Sequence, residues 1–204
     1  MKKIILFCCV IFIFSCTSDK KEPELKPVND QSYFTAIENH RNEIQNFFAG
    51  ENSPLDDSSK LNFSSVKFFP VDTGFRVIAE FEKIIGGEVF EMPSSGQITD
   101  YYQTIGKLHF KISGKQQLLE VYENQNLKAR GQTYYFVPFN DLTNGLETYG
   151  GGRYLDLEQI TDKLILDFNM AYQPYCAYNH SYSCPIPPAA NKLDLAVRAG
   201  ERNE

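Results

Sequence analysis

From Ser32 to Phe48 the apolar residues Phe34, Ile37, Ile44, Phe47 and Phe48 fall at helical spacing with charges between them, which predicts one amphipathic helix stopped by Gly50. Ser53-Pro54-Leu55-Asp56-Asp57 predicts a second, short helix, with Ser53 as N-cap, Pro54 in the first turn and two acids at the positive end of the dipole. After that the period drops to two. Phe75, Val77, Ala79 and Phe81 share one face, while Arg76, Glu80 and Glu82 fall mostly on the other. Leu108, Phe110 and Ile112 alternate with Lys107, His109, Lys111 and Ser113, and the habit continues through Leu119 and Val121, Tyr134 and Phe136, and Leu164, Leu166 and Phe168. The joints carry turn residues: Asp72-Thr73-Gly74, Gly86-Gly87, Ser94-Ser95-Gly96, Ser113-Gly114-Lys115 and Asn144-Gly145. Short strands, each with one wet face, predict an antiparallel sheet folded into a sandwich or barrel. The N-terminal helix would cover an open end or edge. The fold class is α+β, mainly β.

The first residues follow a different rule. Lys2 and Lys3 precede an apolar stretch from Ile4 to Phe14, which then meets Ser15-Cys16. Eleven residues fall short of the roughly 20 that span a bilayer as a helix, but they match the apolar region of a secretory signal. A small residue directly before a Cys resembles a bacterial lipoprotein signal, in which Cys16 is lipid-modified and becomes the first residue; Phe14 is bulkier than the tightest form of that signal prefers. Thr17 to Asn29 is rich in Lys, Glu and Pro and has almost no large apolar residue, a composition that predicts a flexible tether. The expected organisation is therefore a signal peptide at 1–15, a tether at 16–29 and a single domain at 30–204. The expected location is the cell envelope, with a membrane as partner through the lipid at Cys16.

The formal net charge is −6. Cleavage would remove two lysines and no carboxylate, leaving −8. That balance excludes nucleic acid as a partner, because phosphate binding needs an excess of Lys and Arg. Apolar content of 42% and charged content of 23% are those of a globular body, and the aromatic share rests on 12 Tyr and 16 Phe without Trp. The sequence has no Walker loop, G-x-G-x-x-G, G-x-S-x-G, C-x-x-C or H-E-x-x-H, so no metal or cofactor is called for. His40 in the helix and His109 on the polar face of a strand read as solvated or satisfied side chains.

The last third has the most distinctive texture. It carries Phe139-Asn140-Asp141-Leu142-Thr143-Asn144-Gly145-Leu146-Glu147-Thr148-Tyr149-Gly150-Gly151-Gly152-Arg153-Tyr154, then Leu166-Asp167-Phe168-Asn169 and Ala171-Tyr172-Gln173-Pro174. Cys176-Ala177-Tyr178-Asn179, Ser183-Cys184-Pro185-Ile186-Pro187-Pro188, Asn191 and Ala199-Gly200-Glu201 follow. These segments resemble the bacterial and archaeal family called domain of unknown function 1684. Ser53-Pro54-Leu55 and Phe68-Phe69-Pro70-Val71-Asp72 fit more weakly, and Ser65-Val66 stands where the family has Gly-Leu. The resemblance spans roughly residues 35 to 201. It implies one domain and no established activity.

Within that block Asp141, Thr143, Glu147, Thr148, Arg153, Asp167 and Asn169 crowd between apolar strands, and Gly150-Gly151-Gly152 lets backbone approach a ligand closely. Exposed N–H groups beside a guanidinium suit a carboxylate or phosphate held by Arg153. The same residues can instead cap turns, with a pair such as Arg153–Asp167 locking two strands. Three functions stay open. One is a lipid-anchored small-ligand-binding or accessory domain with an anion site at Arg153. Another is a hydrolase-like enzyme using Asp141, Glu147 or Asp167 as general acid and base. The third is a structural envelope protein. Cys176 and Cys184 enclose a short loop containing His180; export favours a disulfide, beside a Cys/His metal site, free thiols or a Cys–His nucleophile. Pro185-Ile186-Pro187-Pro188 cannot be helical and predicts an extended strap.

Overall fold

The structure is a computed structural model and describes residues 31–97 and 100–203. The signal, Cys16 and the tether lie outside the described residues. The long helix α1 (Gln31–Ala49) buries Ile37 and Phe48. Phe48 packs with Leu55 and Val66 in a small cluster of its own, apart from the sheet. The second helix, α2 (Asp57–Asn62), begins later than expected, because Asp56 rather than Ser53 is its N-cap and accepts from the Ser59 N–H at 2.6 Å. Ser53 instead closes a local turn by accepting from the Leu55 N–H.

The strands β1 (Lys67–Phe68), β2 (Arg76–Lys83), β3 (Val89–Glu91), β4 (Tyr101–Ile112), β5 (Lys115–Asn124), β6 (Tyr135–Phe139), β7 (Arg153–Leu157), β8 (Lys163–Asp167) and β9 (Glu201–Arg202) pair antiparallel throughout; a one-turn helix α3 (Gln125–Lys128) follows β5. The main sheet runs β7-β6-β5-β4-β2-β8, with β3 also on β4, while β1 and β9 form a separate two-stranded ladder. The β4–β5 hairpin turns through Ser113 (φ 50°) and Gly114 (φ 76°), the pair of positive φ values that a two-residue turn needs to match strand twist.

Curvature originates in β4. Its register with β5 slips between Thr104 and Gly106, a bulge that bends the strand. One edge of β4 consequently serves two partners: β3 against Tyr101–Gln103 and β2 against Gly106–His109. Gly106 is required there, since a Cβ would lie 2.3 Å from the Phe81 ring. The sheet curls into a half-barrel around Leu108, Phe110, Leu119, Val121, Val137, Phe139, Leu155 and Leu166. Its outer face carries an aromatic layer of Tyr102, Tyr122, Phe136 and Tyr154 with Met92. The expected strands are present as β2, β4, β5, β6 and β8, and the fold is mainly β with an N-terminal helix. That helix is stitched to the β1 region, where Gln45 brackets Val66 and Arg41 donates to the Phe69 carbonyl.

One topological fact matters for function. β7 and β8 follow each other in the chain but form the opposite edges of the curled sheet. They do not pair, and a seam remains between them.

Candidate functional site

The polar block begins where β6 ends. Asp141 accepts from the Thr143 N–H at 2.6 Å, and Asn144 accepts from the Asp141 N–H. The Thr143 and Thr148 hydroxyls bond each other at 2.9 Å, and the Asn144 amide donates to the Tyr149 carbonyl. The loop thus consumes its own polar groups, as Asx- and Thr-rich turns do. Gly152 (φ +93°) leads into β7 where a Cβ would meet the Phe139 carbonyl at 2.8 Å, so glycine is needed for conformation and space alike. Gly151 sits under the Tyr149 ring, and Gly150 faces no comparable constraint.

Arg153 ends this path inside the protein, with 0% of its surface exposed. Nη2 donates to Asp141 Oδ2 at 2.6 Å and to the Val197 carbonyl at 2.7 Å; Nη1 donates to the carbonyls of Ala199 and Glu201 at 2.5 and 3.1 Å. Burial pulls the guanidinium below its ordinary range, and Asp141 beside it pulls back the other way. Both Nη groups are spent on the protein itself, and Nε, which has no acceptor, is sealed from solvent. The anion site expected at Arg153 is therefore corrected: the C-terminal segment has taken the places a ligand would need. The expected Arg153–Asp167 lock is corrected as well, because β7 and β8 lie at opposite edges of the sheet.

The remaining carboxylates are dispersed. Glu147 is held at the surface by Arg198, whose Nε and Nη2 reach it at 2.9 Å and which keeps its pKa below the usual carboxylate range. Asp167 accepts from the Tyr33 hydroxyl at 2.9 Å and lies 3.6 Å from Arg76. Asn169 is buried and brackets Asp72, accepting from its N–H and donating to its carbonyl. Asp141, Glu147 and Asp167 each serve a different cation, so they form no acid–base pair, and the hydrolase expectation has no geometry here. His109 pairs with Glu82 across β2 and β4 at 2.7 Å. Burial lowers the pKa of the half-buried His40.

Cys176 and Cys184 are joined in a disulfide with Cα atoms 6.2 Å apart. Neither of these two residues is left as a thiolate nucleophile or ligand, and His180 is exposed within the loop they close. The proline run is extended: Ile186 N–H donates to the Pro93 carbonyl, and the Tyr154 hydroxyl donates to the carbonyl of Pro185.

Three features escaped the sequence reading. Glu201 is 2% exposed, and its Oε2 accepts from the Gln173 N–H at 2.8 Å and the Tyr178 hydroxyl at 2.9 Å. Its pKa is pushed up to about 7 by burial, against the hydrogen bonds and Arg153, which pull it down. The second feature is the seam. Between β7 and β8 lies an open cleft of about 1070 Å³ floored by Phe81, Leu155, Leu157, Leu166 and Met170, with charged residues around it. The third is a smaller cavity between α1 and the β1–β9 ladder that gathers Arg41, Lys67 and Arg202.

No curated protein matches this chain. A solution NMR structure of an uncharacterized protein from Haloarcula marismortui is similar to it, at 32% identity and a TM-score of 0.66, covering 84% of this chain and 95% of that one. The family described as "Protein of unknown function (DUF1684)" matches residues 61–202, a span holding every strand of the half-barrel, the Arg153 knot and the disulfide. The chain belongs to that family.

Proposed function

We propose that this protein is a lipid-anchored domain of the cell envelope that binds a small, partly apolar molecule in the seam between β7 and β8. One observation carries the binding reading: β7, whose edge is bridged only at Tyr154 by Tyr172, does not pair with β8, and between them lies a cleft whose floor is the barrel's own core side chains. Ligand sites of small proteins are commonly concave, floored by apolar groups and oriented by a few polar ones, and about 1070 Å³ is ample for such a molecule. The polar residues of the 141–153 block then act as scaffold. The anchor reading rests on Lys2, Lys3, the apolar run from Ile4 to Phe14, and Ser15-Cys16.

Native mass spectrometry of the protein purified from membranes tests both readings. The mature chain should lack residues 1–15 and carry acyl mass on Cys16, and Cys16→Ala should leave the membrane fraction or remain unprocessed. A small co-purifying mass should be present and should vanish in Leu157→Trp, which fills the cleft. An unacylated native chain beginning elsewhere would refute the anchor. Identical ligand-free spectra for native and Leu157→Trp proteins would refute the binding site.

A further inference from the structure

The chain is acidic overall, yet the cavity of about 680 Å³ between α1 and the β1–β9 ladder gathers Arg41, Lys67 and Arg202 against the single carboxylate of Glu38. Lys67 and Arg202 are directly opposite each other in the ladder register, so they project from the same face. Like charges at that position repel and destabilise the pair they sit on. Among the described residues no carboxylate lies within ion-pair distance of either one.

Arg41 is poised in a similar way. Its guanidinium lies 4.8 Å over the Phe68 ring, and Nη2 is fixed by the Phe69 carbonyl at 2.9 Å. Nη1 has Glu38 at 3.8 Å, beyond hydrogen-bond range, and Nε is buried without an acceptor. A buried donor left unmade is costly, and an anion seated against the guanidinium would supply the missing acceptor. The flanking groups keep the site in shape: Gln45 clamps Val66 through both its atoms, and the Ser64 and Ser65 hydroxyls hold the Lys67 ammonium at 3.1 and 3.0 Å.

We infer that this cavity is an anion site for a phosphate group, with Arg41 and Arg202 as its guanidinium donors and Lys67 as its ammonium. Three cations of two kinds around one small opening suit a compact dianion better than a monocarboxylate, since a single carboxylate would leave the Lys67–Arg202 repulsion largely uncancelled. The site is separate from the seam and does not depend on it. The phosphate could come from a free solute or from a phospholipid headgroup beside the anchored domain, and the chemistry is the same for both.

The test uses the full-length protein in a non-ionic detergent. Inorganic phosphate is titrated at constant ionic strength, with chloride as the balancing salt, by calorimetry and by the Arg Nε–H resonances. A parallel titration adds phosphatidic acid to the micelles, with an uncharged lipid as control. The expected result is saturable binding that moves the Arg41 Nε–H signal. Lys67→Gln and Arg202→Gln should each weaken it about tenfold or more, the scale of one charge-assisted hydrogen bond. Both variants alter partly or fully exposed side chains and relieve a like-charge contact, so they should melt at or slightly above the native protein. Binding of inorganic phosphate lost in the variants supports the site with a free solute. Binding confined to phosphatidic acid and lost in the variants supports it with a headgroup. No binding in either arm, or native affinity in both variants, overturns it.

Discussion

Glu201 gives the protein a titration that a surface carboxylate would not have. Its ordinary value is 4.5 and burial pushes it up to about 7. The folded protein therefore holds this proton more tightly than the unfolded chain does. The resulting stabilisation is fully present below about pH 4.5 and is lost as pH rises through about 7. At about 1.4 kcal/mol per pH unit the difference amounts to about 3 kcal/mol between the two ends of that window. For a domain of this size that is about 6–12 °C in melting midpoint. Glu201→Gln removes the titration while keeping an oxygen for the Gln173 N–H and the Tyr178 hydroxyl. Near pH 4.5 the variant should match the native protein within about 1 kcal/mol, the scale of one exchanged hydrogen bond. Above pH 7 it should be the more stable of the two, by up to about 3 kcal/mol. Urea denaturation from pH 4.5 to 8.5 on both proteins isolates this term, because every other titrating group cancels in the difference. Tyr178→Phe supplies a second handle. Loss of its hydroxyl removes a bond to the charged form, so the native profile should slide to still higher pH. A native-minus-variant difference that stays flat across the range would refute the reasoning.

Two further expectations follow from buried groups. Arg153→Ala should cost about 3–5 kcal/mol by stranding the Asp141 carboxylate together with three carbonyls, and Arg153→Lys should recover little, because an ammonium cannot reproduce the fork. Denaturant midpoints check this, and a loss under about 1 kcal/mol for the alanine variant would mean the knot is not structural. Reducing the Cys176–Cys184 bond should cost about 2–3 kcal/mol for a loop this short. Alkylation of the denatured, unreduced protein should label neither residue, and labelling of either would contradict the pairing.

The sheet was legible in the sequence wherever a strand keeps one wet face. β2 and β4 alternate because one side packs into the half-barrel and the other meets water. β7 was not legible, since Arg153, Tyr154 and Leu155 are all buried: Leu155 faces the barrel while Tyr154 faces the aromatic layer outside it. A strand covered on both faces loses the alternation that would announce it. The same blindness governs the polar block. A knot and a ligand site use the same residues, and what separates them is the source of the acceptors around Arg153. Those are the carbonyls of Val197, Ala199 and Glu201, which no side-chain pattern encodes. Glu201 stands beside Arg202 in a charged C-terminal stretch with no apolar alternation to announce its burial, and the pleat of β9 turns it inward and Arg202 outward. The cations of the phosphate cavity are far apart in sequence and meet only because β9 returns to pair with β1.

A half-barrel that does not close must fasten its loops by means other than strand pairing, and three side-chain amides do so in one manner. Gln45 accepts from the Val66 N–H and donates to the Val66 carbonyl, at 2.9 and 2.7 Å. Asn169 treats Asp72 in the same way, both contacts at 2.9 Å, and Asn191 does so for Glu120 at 2.7 and 2.9 Å. Each amide presents a carbonyl and an N–H side by side, as a neighbouring strand would, and satisfies a backbone pair at the sheet's margin without adding a strand. A carboxylate of equal size could not substitute, because it would accept from the N–H but repel the carbonyl. Two of the three, Asn169 and Asn191, fall within segments that mark the family, in a stretch whose polar residues suggest chemistry. Their geometry assigns them to construction. Edge fastening by side chains leaves β7 and β8 unpaired to each other, and it is this economy of strands that keeps the seam open.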